Sequence, residues 1–333
     1  MDSLNSIANQ LVASKKGILA SDESTSTATE RLDSIGVEST TETRRKWRQF
    51  LYSTEDIGKY ISGAIMFDET IRQEDDNGTT FSKLLSEQEV IPGIKVDKGK
   101  TDLPFSEGEK ITEGLDGLKG RLEEYNQLGA KFAKWRGALY INQDKGLPTD
   151  YAIHVNAHAL GRYAALCQQM GVMPIVEPEV VMEGDHSIEV CFEATRRTLT
   201  KVFSELNRQQ VKLSGILLKP NMVISGSKSK NPAEPKEVAE YTVECLQETV
   251  PSEVPGVVFL SGGQSPQRAT KNLNAINKEY PDQPWELSFS FGRALQREAL
   301  EAWSGTEENL EQAQRTFLDR AKKVSRAREG NLN

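Results

Sequence analysis

The chain has 333 residues, of which 37% are hydrophobic and 27% charged, with a formal net charge of −8; this is the composition of a globular protein, not a disordered one. The acidic balance argues against nucleic acid as a bulk partner, while leaving room for a local basic pocket for a small anion. No apolar run approaches the ~18 residues of a membrane span, and Cys167, Cys191 and Cys245, none in a CxxC spacing, read as reduced structural thiols.

The N-terminal stretch MDSLNSIANQLVASKKG lacks a basic segment followed by an apolar one. No secretory signal is therefore expected, and the expected location is cytoplasmic. Short apolar runs then recur along the chain: GILAS (17–21), ISGAIMF (61–67), IPGIKV (91–96), KFAKWR (131–136), MPIVEPE (173–179), GILLK (215–219), GVVFLS (256–261) and ELSFS (286–290). Helical patterns separate several of them, over 149–171, 187–210, 232–250 and 265–280. The last of these opens with Ser265 as cap and Pro266 in the first turn. Residues 97–119 read as a loop, either a lid or a surface excursion. Residues 306–330 read as a charged, solvated outer helix.

Strands alternating with helices predict a parallel sheet, because parallel neighbours need crossover connections. Eight such units predict an α/β fold, a (β/α)8 TIM barrel with residues 1–333 as a single domain. An open doubly wound sheet is the alternative, but no GxGxxG turn follows any strand.

In a barrel the C-terminal strand ends converge on one face, where active sites are built. Those ends carry Asp22, Lys95, Lys134 with Arg136, Glu177 with Glu179, Lys219, Ser261 with Gly262 and Gly263, and Ser290 with Gly292 and Arg293. Lys219 ends an apolar strand in GILLKPNMV, where a cation is costly to desolvate and needs a reason. A lysine partly desolvated among other cations is a nucleophile at neutral pH and attacks carbonyls to form a Schiff base. Loss of water from the carbinolamine needs a general acid, which Glu177 or Glu179 can supply. LSGGQS (260–265) and SFGRALQ (290–296) suit one anion, since glycines let backbone N–H groups approach phosphate. The hydroxyls of DESTST (22–27), with Arg31 and Lys95, suit a second. Two such sites around one lysine point to a substrate with a phosphate at both ends.

These residues resemble the Schiff-base-forming, class I fructose-bisphosphate aldolase family. The matching stretches KGILASDEST, GIKVDKG, KFAKWR, PIVEPE, GILLKPNMV, FLSGGQS and FSFGRALQ run in the family's order from about residue 16 to about 297. The resemblance implies reversible cleavage of fructose 1,6-bisphosphate to dihydroxyacetone phosphate and glyceraldehyde 3-phosphate, with no cofactor and no metal. It implies that Lys219 forms the Schiff base and Glu177 handles carbinolamine dehydration. It places Asp22 near the C4 hydroxyl and Lys134 at the carbinolamine, with Glu179 and Arg136 orienting the lysines. Ser261, Gly262, Gly263, Ser290, Gly292 and Arg293 would hold one phosphate, and Ser24, Thr27, Arg31 and Lys95 the other. A homotetramer is the implied assembly.

Some positions depart from the family's pattern. Ser26 stands where Gly is common, Glu30 where Lys is common and Phe291 where Tyr is common. Glu30 removes a positive charge beside the second phosphate and is expected to weaken its binding. The sequence ends in GNLN, where many relatives have a tail ending in a Tyr that assists enamine protonation, so turnover is expected to be limited more by that step than in the tailed relatives. A metal-dependent aldolase would need histidine ligands, and His154, His158 and His186 form no HExxH motif. A non-catalytic sugar-phosphate sensor or scaffold is the alternative from another class; it would have no need of Lys219, Glu177, Asp22 and Lys134 together. A transaldolase would not need the second phosphate site.

Overall fold

All eight apolar runs form strands. The computed structural model describes residues 2–332. The strands are β1 (Gly17–Ala20), β2 (Ile61–Met66) and β3 (Ile91–Lys95), then an antiparallel pair, β4 (Lys100–Asp102) and β5 (Lys110–Thr112). These are followed by β6 (Phe132–Tyr140), β7 (Met173–Val181), β8 (Leu217–Leu218), β9 (Gly256–Phe259) and β10 (Glu286–Phe291). Leaving aside the β4–β5 pair, the strands close into a parallel barrel in the order β1-β10-β9-β8-β7-β6-β3-β2.

Strand periodicity explains how an apolar barrel acquires a charged mouth. Alternate residues share a face, so each inward row begins apolar and ends polar: Phe132, Lys134, Arg136 on β6, and Met173, Ile175, Glu177, Glu179 on β7. Leu217 leads to Lys219, and Ile18 and Ala20 lead to Asp22. The lower residues of these rows pack with Leu4, Ala8 and Leu11 of the helix Asp2–Leu11, which plugs the barrel floor. Full burial of a ring such as Phe132 is worth about 1.5–3 kcal/mol, and the ring fits because β3 has no side chain at Gly93, where a Cβ would collide with it.

Two expectations need correction. Residues 97–119 are not an open loop: the β4–β5 hairpin is pinned to the barrel by Thr112 Oγ1, which donates to the Arg136 carbonyl at 2.7 Å, and by Asn156 Nδ2, which donates to the Lys110 carbonyl at 2.9 Å. Glu109 accepts from Thr149 N at 2.8 Å and from Thr149 Oγ1 at 2.7 Å, which fixes the hairpin's far end. The charged C-terminal helix, Leu310–Arg328, is amphipathic as expected, but it is not merely solvated. Arg328 is buried and donates to the Val12 carbonyl at 2.6 Å and to Glu286 at 2.9 Å, while Arg320 donates to the Ala294 carbonyl at 2.8 Å. Their stems cover apolar surface, and their heads are paired except at Arg328 Nε, which is buried without a hydrogen-bond partner.

Candidate active site

Four charged side chains alternate in sign across the barrel mouth. Lys134 Nζ lies 2.7 Å from Asp22 Oδ2 and 3.0 Å from Glu177 Oε2, and Lys219 Nζ lies 3.2 Å from Glu177 Oε1. Register puts them there. Leu217 pairs with Ile175, so Lys219 stands level with Glu177, and its own N–H donates to the Val176 carbonyl at 2.8 Å. Pro220 cannot continue the ladder as a donor, but its carbonyl accepts from Leu260 N at 3.0 Å, so the chain stays stitched to β9 just beyond Lys219. Asn221 Oδ1 then accepts from Val180 N at 2.9 Å and ties this turn to the end of β7.

The lysine side chains of Lys134 and Lys219 are 5% and 4% exposed, so the charges interact in a water-poor setting. Burial opposes ionisation of Asp22, but the Lys134 and Lys219 ammonium groups outweigh it and hold the carboxyl well below the usual range. Burial also opposes the charge on Lys134, yet Asp22, Glu177 and Asp97 outweigh it and hold that ammonium well above its ordinary value. Arg136, opposed in the same way by burial, is raised by Glu179 and Glu177. Asp22 is thus a fixed anion and Lys134 a fixed cation. Glu177 Oε2 has no aligned hydrogen-bond partner, its Lys134 contact being an ion pair. Glu177 and Lys219 are the adjoining members of the chain at its other end, in contact at 3.2 Å.

Glu179 pairs with Arg136 through the Arg136 Nε, and a Cβ at Gly262 would lie 3.9 Å from its other oxygen. Glu179 therefore supports the wall of the site beside the Ser261–Gly263 turn. Gly262 and Gly263 have φ of 49° and 83°, which side chains rarely adopt. The helix Pro266–Glu279 opens only afterwards, with Ser265 as its cap as the sequence predicts. The two anion-binding segments adjoin: a Cβ at Gly263 would lie 3.7 Å from Arg293 Nη2. Ser290 Oγ is buried without a hydrogen-bond partner, and Arg293 makes no ion pair among the described residues. An acceptor-rich anion would satisfy both.

The second anion subsite is different. Ser24, not Asp22, caps the helix Thr25–Asp33. Its hydroxyl lies 3.0 Å from Ser26 Oγ and 3.2 Å from Thr27 Oγ1, so Ser26 joins a hydroxyl cluster in place of the family's glycine. Arg31 is paired with Glu23, and Lys95 Nζ with Asp97 Oδ1 at 2.7 Å. Glu30 is exposed to solvent. Both expected cations are present, but each already has a carboxylate.

Sequence reasoning missed Glu23, Arg48, Gln296, Asp97 and Asn221. Glu23 sits inside the quoted DEST motif, but its partners Arg31 and Arg48 are 8 and 25 residues away, spacings that no local period pairs. Of the histidines, His154 and His158 lie on an outer helix, with His158 Nδ1 3.1 Å from Glu205. His186 is buried in the turn after β7. No group of three or more His, Cys, Asp or Glu is placed to hold a metal ion among the described residues.

Comparison with known proteins bears on the family and the fold. A family model described as fructose-bisphosphate aldolase class-I matches residues 3–333. A probable class 1 fructose-bisphosphate aldolase of Xanthomonas campestris is 50% identical over 97% of this chain and 96% of its own length. Cytosolic fructose-bisphosphate aldolase 4 of Arabidopsis thaliana is 50% identical over 94% of this chain and 79% of its own length. The solved fructose-bisphosphate aldolase of Plasmodium falciparum, in complex with TRAP and a small-molecule inhibitor, superposes with a TM-score of 0.98 at 48% identity, covering 100% of this chain and 95% of that one.

Proposed function

This chain belongs to the class-I fructose-bisphosphate aldolase family, and on that footing we propose that it cleaves fructose 1,6-bisphosphate reversibly through a Schiff base on Lys219. The observation that carries the assignment of Lys219 is its 3.2 Å contact with Glu177 in a buried site whose other charges are fixed. Transfer of one proton from the Lys219 ammonium to Glu177 produces, in a single step, a neutral amine nucleophile and a carboxylic acid beside it. The amine attacks the C2 carbonyl to form a carbinolamine. Glu177 then gives its proton to the C2 hydroxyl, which leaves as water, and an iminium remains. Lys134 lies beside Glu177 and supports charge developing there.

The iminium accepts the electron pair of the C3–C4 bond. As that bond breaks, Asp22, held as an anion, accepts the hydrogen bond of the C4 hydroxyl and orients it, the hydroxyl proton passes to Glu177, a carboxylate since dehydration, glyceraldehyde 3-phosphate departs and an enamine is left on Lys219. Protonation of the enamine at C3 and hydrolysis of the resulting iminium release dihydroxyacetone phosphate and restore the lysine. Ser261, Gly262, Gly263, Ser290, Gly292 and Arg293 are the proposed site of the phosphate nearer the Schiff base. Ser24, Thr27, Arg31 and Lys95 are the proposed site of the far one. The arrangement asks for no metal and no organic cofactor. A homotetramer in the cytoplasm is the proposed setting, in keeping with the family resemblance and with the cytosolic relative.

The test is sodium borohydride reduction in the presence of dihydroxyacetone phosphate, followed by peptide mass mapping, with EDTA-treated protein assayed in parallel. A reduced adduct on Lys219 with activity surviving EDTA is the expected result. Activity lost with EDTA and no adduct would point to metal chemistry, and neither adduct nor activity to a sugar-phosphate sensor.

A further inference from the structure

Behind the second phosphate subsite, one buried carboxylate holds three donors. Glu23 Oε2 accepts from Arg48 Nη2 at 2.6 Å, and both side chains are almost fully buried. Glu23 Oε1 accepts from Gln296 Nε2 at 3.0 Å and also from Arg31. Gln296 is anchored in turn: it donates to the Ala20 carbonyl at 2.8 Å and accepts from Arg48 Nη1 at 3.2 Å. Arg48 stacks its guanidinium 4.0 Å from the Trp47 ring centroid. Arg31 differs from the rest, being 22% exposed where its partner is 4%.

The consequence is an asymmetry between the partners. If Arg31 leaves, Glu23 keeps one cation on Oε2 and one amide on Oε1, so it is not stranded as an unpaired buried charge. If Arg48 left, its own charge would be stranded in the core. Arg31 is thus the one partner able to come and go, and it stands on the helix that carries the Ser24–Thr27 hydroxyls. It also lies close enough to Arg293 to add to the effect of burial in lowering that residue's pKa.

We propose that Glu23 is a specificity-determining positioning residue: it parks Arg31 while the second phosphate subsite is empty and competes with an arriving phosphate for it. The proposal rests on the bisphosphate-cleavage reading. A sugar with a single phosphate, bound beside Lys219, involves no exchange of Arg31 between the Glu23 carboxylate and a phosphate. A bisphosphate gains an Arg31 contact only by exchanging it for the Glu23 contact. Glu23 therefore lowers the advantage of two phosphates over one, and it takes Arg31 back as the second product leaves.

The test compares fructose 1,6-bisphosphate with fructose 1-phosphate, by steady-state kinetics and by calorimetric binding, in the wild type and in Glu23→Gln. The expected result is a fall of about threefold to fivefold in KM and Kd for the bisphosphate, the scale of one partly exposed ion pair. The constants for fructose 1-phosphate and both kcat values should stay put. Because Glu23→Gln strands Arg48, the double replacement Glu23→Leu, Arg48→Met serves as a second variant. It removes the carboxylate while replacing the buried pair by apolar groups, and it should show the same substrate-selective fall. Equal shifts for both sugars in a folded variant, or a rise in bisphosphate Kd, would overturn the proposal in favour of a purely structural Glu23. If the wild type binds both sugars and cleaves neither, the cleavage reading fails, while the ratio of the two Kd values still decides the role of Glu23.

Discussion

The Lys219 Nζ lies 3.2 Å from one oxygen of Glu177, while the other oxygen of the same carboxylate lies 3.0 Å from the Lys134 Nζ. Glu177 thereby serves two lysines with different duties. Lys134 is locked as a cation by Asp22 as well, whereas Lys219 has Glu177 as its ion-pair partner among the described residues. On the proposed mechanism the proton moves between Lys219 and Glu177, across the contact where Schiff-base formation needs it.

Glu177→Gln should therefore lower kcat by about 10²–10⁴-fold, the usual contribution of a positioned general acid. The amide keeps an oxygen facing Lys219 but cannot carry the proton. KM should change by much less, since neither phosphate subsite includes this group. Steady-state kinetics check it; a kcat within a few-fold of wild type would remove Glu177 from proton transfer.

Asp22 predicts the acid limb of stability. Its folded pKa is depressed below the ordinary 3.8, so its ion pair with Lys134 contributes stability that is fully present above that value. The contribution is lost as pH falls through the window below it toward the folded value. The difference in unfolding free energy between wild type and Asp22→Asn should be constant near neutrality and narrow below about pH 4. Urea denaturation across a pH series measures it, and a difference that widens with acid would contradict the assignment.

Ser290→Ala separates binding from folding. The hydroxyl is buried without a partner, so removing it takes away an unsatisfied polar group and should leave Tm unchanged or raised. A hydrogen bond to a charged phosphate is worth about 1.5–3 kcal/mol, so KM should rise by about tenfold or more for both fructose 1,6-bisphosphate and fructose 1-phosphate. A lowered Tm with unaltered KM would show that the hydroxyl is structural.

Arg328→Met tests the C-terminal helix as a clamp. The guanidinium satisfies the Val12 carbonyl beside the barrel floor and pairs with Glu286. Leaving that carbonyl unpaired should cost about 1–3 kcal/mol, read as a lower denaturation midpoint. Activity per folded molecule should be unaffected, because Arg328 lies at the opposite end of the barrel from Lys219.

Much of the fold is local in origin and so legible in the chain. Each barrel strand announces itself as a short apolar run, and the long helices as 3.6-residue patterns, one of them with its cap legible at Ser265–Pro266. The β4–β5 hairpin escaped this logic. Its strands are three residues each and, apart from the buried Thr112, exposed or half-buried, and they hold their shape through Thr112 and Asn156 contacts to distant elements. The buried Arg320 and Arg328 escaped it too, since a charged helix looks solvated until something else covers it.

By itself, the sequence determined which residues could do the chemistry, because period-2 alternation carries each inward strand face from an apolar row to a polar end at Asp22, Lys134, Glu177 and Lys219. The family resemblance extends the same inference to their roles. Only the tertiary structure decided how those charges pair. Barrel closure brings side chains from β1, β6, β7 and β8 within about 3 Å, and at that range in a water-poor setting each charge is set by its neighbours. Arg31 meets Glu23 and Lys95 meets Asp97 within their own segments, so one proposed phosphate subsite is open and the other already holds carboxylates. No local spacing encodes the pairing of Asp22, Lys134, Glu177 and Lys219, since those residues meet only when the barrel shuts.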